Sequence, residues 1–195
     1  QNSPLLEMHH ARSARIASTP AGDTLLTYGD VPGEYEAATK GALLFDETAR
    51  GLIHVTGSDA KDFLHRLLTN HVKSLPSGNE AAPGLGNANL LLTGKGKIAE
   101  QFHLAQDGKG GYLLSTEPGR ALPLMTALDM YLFVDDVQLT DQSQTHAPLS
   151  IVGPDAQGIV EQCLGLAVPS DAAPYTPLFG ALAGESVRVT PMSRA

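Results

Sequence analysis

The chain has 195 residues, a formal net charge of −8, 42% hydrophobic and 17% charged residues, and a single cysteine. That length suits one large or two small domains with a core that needs no covalent staple, and one cysteine excludes an internal disulfide and a cysteine metal cluster. Thirteen Lys and Arg against twenty-one Asp and Glu leave no basic face for nucleic acid, and no apolar run approaches a membrane span.

The first stretch, "SPLLEMHHARSAR", reads as a short helix with Ser3 as N-cap and Pro4 at its first position. It carries no signal-peptide core, and with Cys163 as a lone thiol the expectation is a cytoplasmic protein with no membrane or nucleic-acid partner. "STPAGDTLLTYGDVPGE" reads as loop because Pro and Gly punctuate it, and a short helix follows near "EYEAATKGA". "GLIHVTG" is a strand. "NANLLLT" and "KIAEQFHLA" flank the turn "GKG" as a hairpin, and "GGYLLSTE" continues the meander. "GRALPLMTALDMYLF" is a helix with Pro123 as a weak point, "DVQLTD" a strand, and "GESVRVT" a final alternating strand.

One unit is written twice. "VTGSDAKDFLHRLL" and "IVGPDAQGIVEQCL" are each a strand, a Gly-x-Asp-Ala corner and a helix. Ala60, Phe63, Leu64, Leu67 and Leu68 make one buried stripe at helical spacing, and Ala156, Ile159, Val160, Cys163 and Leu164 repeat it. Ser58 is the expected cap of the first helix, and Cys163 is expected to be a buried structural thiol. The pattern predicts an α+β protein of two subdomains, divided near the polar "DQSQTHA" as residues 1–145 and 146–195.

"TGKGK" lacks the spacing of a phosphate loop and reads as a hairpin tip. His65 and His71 lie six apart, His9 and His10 face different ways, and no metal site is expected. On the alternating strand, Glu100 shares a face with Ile98 and Phe102, a partly apolar setting for a carboxylate. Gln101 shares the other face with Ala99 and His103.

From "GALLFDETARGLIHVTGSDAKDFLHRLLTNHVKSLPSG" onward the chain resembles the folate-binding aminomethyltransferase superfamily: the T-protein of the glycine cleavage system and its YgfZ-like relatives. The matching residues are Phe45-Asp46, Gly51, Val55, Gly57, Asp59-Ala60, Phe63-Leu64 and Thr69-Asn70. "NANLLLTGKGKIAEQFHL", "MYLFVDDVQLTD" and "SIVGPDAQGIVEQCLG" continue the likeness, and the Lys-Gly-Lys turn leans toward the YgfZ-like branch.

The resemblance implies two antiparallel-sheet-plus-helix subdomains around a central folate slot. It implies that the C-terminal barrel is absent and the second subdomain truncated at Ala195. Tetrahydrofolate is the implied cofactor. The family's acidic pair falls on Glu100 and Gln101, so an amide stands where the family has its acid, and Gln101 cannot titrate. Slot positions fall on Arg50, His54, Asn70, Ala88 and Thr116. The implied function is a YgfZ-like folate-binding protein without aminomethyl transfer, with an iron–sulfur client as partner. The alternatives are an aminomethyltransferase of glycine-cleavage type using Glu100, and a scaffold that has lost its ligand.

Overall fold

A computed structural model describes residues 3–19, 22–76, 85–169 and 171–192. Helix α1 (Leu6–Ala11) leads into strands β1 (Arg15–Thr19) and β2 (Gly22–Thr27), helix α2 (Val31–Lys40) and strand β3 (Leu43–Asp46). Then come β4 (Gly51–Thr56), α3 (Ala60–Leu67), β5 (Gly86–Leu92), β6 (Ile98–Gln106), β7 (Tyr112–Thr116), α4 (Ala121–Asp129) and β8 (Gln138–Asp141). The second unit holds β9 (Leu149–Val152), α5 (Ala156–Leu164), β10 (Leu178–Leu182) and β11 (Glu185–Val189).

Five strands form one sheet in the order β5-β6-β7-β4-β8, antiparallel throughout. Its core face is Ile53, Val55, Phe102, Leu104, Tyr112 and Leu114. Helices α3 and α4 cover it with Ala60, Phe63, Leu64, Leu124 and Leu128. Each of these large side chains contributes roughly 1.5–3 kcal/mol by leaving water. Pro123 stands in the first turn of α4, where a missing N–H leaves no intrahelical bond unmade.

The two corners are built alike. Gly57 has φ +116° and Gly153 φ +130°, a region that L side chains rarely adopt. A Cβ on Gly57 would stand 2.0 Å from the Asp136 carbonyl oxygen, and one on Gly153 2.3 Å from that of Gly41. Two residues on, the Asp59 amide donates to that Asp136 oxygen (3.2 Å) and the Asp155 amide to that of Gly41 (3.0 Å). Glycine therefore lets each corner press on a neighbouring backbone, and the next turn binds the carbonyl it presses against. The neighbours differ in origin: β4 takes β8 from its own unit, while β9 of the second unit pairs with β3 of the first. That crossing ties the two units together.

Four local expectations are corrected. The "loop" after α1 is the β1–β2 hairpin, because Ser18 reaches Asp23 (2.6 Å) across a ladder of backbone pairs; its Pro20 lies outside the described residues. Ser3 lies two residues ahead of the cap position and accepts from the Leu5 amide (3.0 Å). Ser58 does not cap α3; its amide and hydroxyl both donate to Asp136 (3.0 and 2.8 Å). Cys163 is exposed. The second unit offers α5 only two-stranded ladders, β3–β9 and β10–β11, so Ala156, Val160 and Leu164 are half-covered while Ile159 and Cys163 face out.

Candidate functional site

Strand register divides the sequence-derived candidates between two faces. Glu100 opposes Leu91 and lies on the helix-covered face, 7% exposed. Arg120, just before α4, grips both its oxygens, Nε to Oε2 at 3.0 Å and Nη2 to Oε1. The expected partly apolar setting therefore contains a fork-shaped cation, which neutralises the carboxylate. Thr116 lies on the same face, fully buried, its hydroxyl where a Cβ on Gly51 would need to be.

The opposite face carries Ala88 and His103 as a cross-strand pair, Gln101 beside them, and His54 further along. Gln101 is exposed; His54, Ala88 and His103 are partly buried. The second unit overlies part of this face. Tyr175 stacks on His103 with ring centroids 5.0 Å apart and planes 29° apart. The Tyr175 carbonyl approaches Gly86 so closely that a Cβ there would stand 2.7 Å away.

At one end of this face, His54 Nε2 meets Asp107 Oδ2 at 2.8 Å, and His54 Nδ1 lies 3.3 Å from the Gln142 amide nitrogen. The amides of Lys109 and Gly111 donate to the other Asp107 oxygen (2.7 and 2.8 Å). Burial pushes the Asp107 carboxyl up, but these hydrogen bonds outweigh it and hold the group below 3.8. Arg188 of β11 lies near enough to feel Asp107, yet its Nη1 is buried without a hydrogen-bond partner. Burial lowers the guanidinium's pKa, and the Asp107 charge opposes that only in part.

At the other end, Arg50 bridges Glu47 and Glu117, each at 3.1 Å. Glu47 also accepts from Ser150 Oγ at 2.8 Å, so the cluster joins both units. Asn70 stands apart as a brace: its Nδ2 donates to the Ala88 carbonyl at 2.6 Å and its amide to Asn89 Oδ1 at 3.0 Å. The structure thus gathers His54, Ala88 and Gln101 on one face, sets Arg50 at the edge and Asn70 behind, and turns Glu100 and Thr116 away.

His103, Tyr175, Asp107 and Arg188 were not among the sequence candidates. His103 was visible as the next residue on the face of Gln101. Tyr175 lies in an irregular segment with no periodicity, so nothing in the sequence links it to His103.

Among the described residues no group of three or more His, Cys, Asp and Glu is placed to hold a metal, although the His65 and His71 rings come within 5.1 Å. Among the described residues no helix is long and apolar enough to cross a membrane.

A repeated strand-corner-helix unit, with one sheet closed by helices on one face and carrying His54, Gln101 and His103 among apolar neighbours on the other, defines an α+β protein of duplicated design. The chain belongs to the GCVT N-terminal domain family, whose profile matches residues 7–193. It is similar to the Aminomethyltransferase of Bacillus subtilis, 25% identical over 161 residues, 83% of this chain and 42% of that protein. It is also similar to the Aminomethyltransferase of Pseudomonas syringae pv. tomato, 28% identical over 169 residues, 86% of this chain and 44% of that protein. Its fold is that of the glycine cleavage system aminomethyltransferase T from Bartonella henselae, with a TM-score of 0.78 at 23% identity over 91% of this chain and 47% of that one. The chain spans less than half the length of these three proteins. The superfamily resemblance is thereby established, while the YgfZ-like branch is not distinguished.

Proposed function

We propose that this chain is the folate-holding part of an aminomethyltransferase of glycine-cleavage type. Tetrahydrofolate lies on the face of the five-stranded sheet opposite α3 and α4. The family match across residues 7–193 carries this reading, and the aminomethyltransferase names of the relatives favour it over a YgfZ-like role with an iron–sulfur client. In this reading residues 1–145 and 146–195 are the two subdomains flanking the ligand, and the single thiol fits a cytoplasmic protein.

The chemistry asks for a surface against a flat ring, acceptors for its N–H groups, and a group that moves a proton near N5. Gln101, exposed beside Ala88 and His103, offers both an acceptor and donors. His54, fixed by Asp107, keeps one orientation, as a binding side chain must. Arg50 stands at the edge of the face already bridged to Glu47 and Glu117, so an anionic folate tail would have to draw it from one of those carboxylates. Glu100 is turned from the ligand and committed to Arg120, so Gln101 rather than Glu100 meets the ring.

Calorimetric titration with tetrahydrofolate, followed by ammonia release from an aminomethyl donor, tests the reading. Saturable binding is expected in the wild type and in Glu100→Gln. No heat up to millimolar ligand would refute folate binding, and loss of binding only in Glu100→Gln would refute the assignment of faces.

A further inference from the structure

We propose that His103 is the residue that exchanges a proton with the bound folate, a role neither Glu100 nor Gln101 can fill in this chain. The proposal rests on the folate reading above. Glu100 is on the wrong face and salt-bridged. Gln101 is on the right face but its amide does not titrate in water. His103 is the next side chain along that face of β6, opposite Ala88, and it titrates.

Three observations single it out from the other histidine of the face. His54 has contacts at both ring nitrogens, Nε2 with Asp107 and Nδ1 with Gln142. Neither ring nitrogen of His103 has a hydrogen-bond partner among the described residues. Its ring plane is fixed instead by the Tyr175 stack, which orients the imidazole without occupying its polar atoms. The charged groups that act on it are Arg50, Glu47 and Glu117, and the two carboxylates are already paired with Arg50. Burial first, and Arg50 second, hold the imidazole's pKa below 6.5. The ring therefore stands neutral at pH 7, able to accept a proton through one nitrogen and donate through the other.

The step balances with what the proposed reaction supplies. An aminomethyl donor X–CH2–NH2 and the two N–H groups of the reduced folate give the methylene bridge, ammonia and XH. As the N5–carbon bond forms, His103 accepts the N5 proton. As the carbon–nitrogen bond of the donor breaks, the departing nitrogen takes the bonding pair and the imidazolium returns the proton to it; the N10–carbon bond then forms as the carbon–X bond breaks, X taking that bonding pair and the N10 proton. No oxidant or further co-reactant is consumed.

The test follows tetrahydrofolate binding from pH 5 to pH 8 in the wild-type chain and in His103→Gln, with NMR titration of the His103 ring in wild type. The apo ring is expected to titrate below 6.5, with its midpoint displaced by saturating tetrahydrofolate. Wild-type affinity should bend across that midpoint, and His103→Gln should bind with a flat profile, within ~threefold of wild type at pH 8. A ring midpoint indifferent to ligand, or an identical bend in both proteins, overturns the His103 role while leaving folate binding intact. Absence of wild-type binding at every pH overturns both. Should His103→Gln fail to fold, the wild-type ring titration still decides.

Discussion

Replacing Gly57 by alanine perturbs the feature on which the fold turns. The residue has φ +116°, so alanine meets backbone strain of about 1–3 kcal/mol. Its Cβ would also stand 2.0 Å from the Asp136 carbonyl oxygen and 2.7 Å from the carbonyl carbon. Those atoms are backbone, and Asp136 is tied to Ser58 and Asp59 by four hydrogen bonds. Relief therefore requires moving β8 or the corner, a further cost of about 1–3 kcal/mol. The sum, roughly 2–6 kcal/mol, is a large part of the ~5–15 kcal/mol that holds a domain together. Urea denaturation followed by circular dichroism should show the midpoint falling steeply with the slope unchanged. Gly153→Ala repeats the geometry, with 2.3 Å to the Gly41 oxygen, but acts on a unit with little buried core and should cost less. A Gly57→Ala midpoint within ~0.5 kcal/mol of wild type would refute the reasoning, because only an ordinary surface substitution is that mild.

Arg120→Gln leaves the Glu100 carboxylate buried with a neutral partner; with the arginine side chain 47% exposed, the loss should be about 1–3 kcal/mol by denaturation, with tetrahydrofolate affinity unchanged. Affinity falling more than stability would put the pair in the ligand site instead. Arg188→Met removes a cation with a buried, unpartnered N–H and should leave the chain as stable as before, or up to about 2 kcal/mol more stable; a marked loss would reveal an unrecognised partner. The Asp46 carboxyl is pushed up by burial but held lower overall by hydrogen bonds from Ser3, Thr48 and His9, and Asp107 is likewise lowered. Both groups contribute stability that is fully present above their unfolded pKa and is lost as pH falls through their folded values, so the urea midpoint should decline below about pH 4. Asp107→Asn should flatten part of that decline, and a curve merely parallel to wild type would contradict it.

The duplicated corner was legible in the sequence because its cause is local: a glycine, an aspartate two residues on, and a stripe at helical spacing. The opposite faces of Glu100 and Gln101 were legible for the same reason, since a strand alternates whatever surrounds it. What fills each face was not. Arg120 lies twenty residues from Glu100 and reaches it only because β7 returns the chain beside β6. His54 and Asp107, 53 residues apart, meet only because the meander sets the turn beside β4, with no room for a Cβ at Gly111. The fate of Cys163 depended on how much sheet stands behind α5, which the stripe itself does not record. The β1–β2 hairpin was missed because Pro20 and three glycines outweighed a short alternation that backbone pairing completes.

The central claim, that the face of the five-stranded sheet opposite α3 and α4 holds a reduced folate, is tested most directly by mapping amide and side-chain NMR shifts while tetrahydrofolate is added under anaerobic conditions. Saturable shifts should cluster at His54, Ala88, Gln101, His103 and Tyr175, with Glu100, Thr116 and the α3 and α4 core little changed. Shifts centred on the helix-covered face, or none at millimolar ligand, would contradict it.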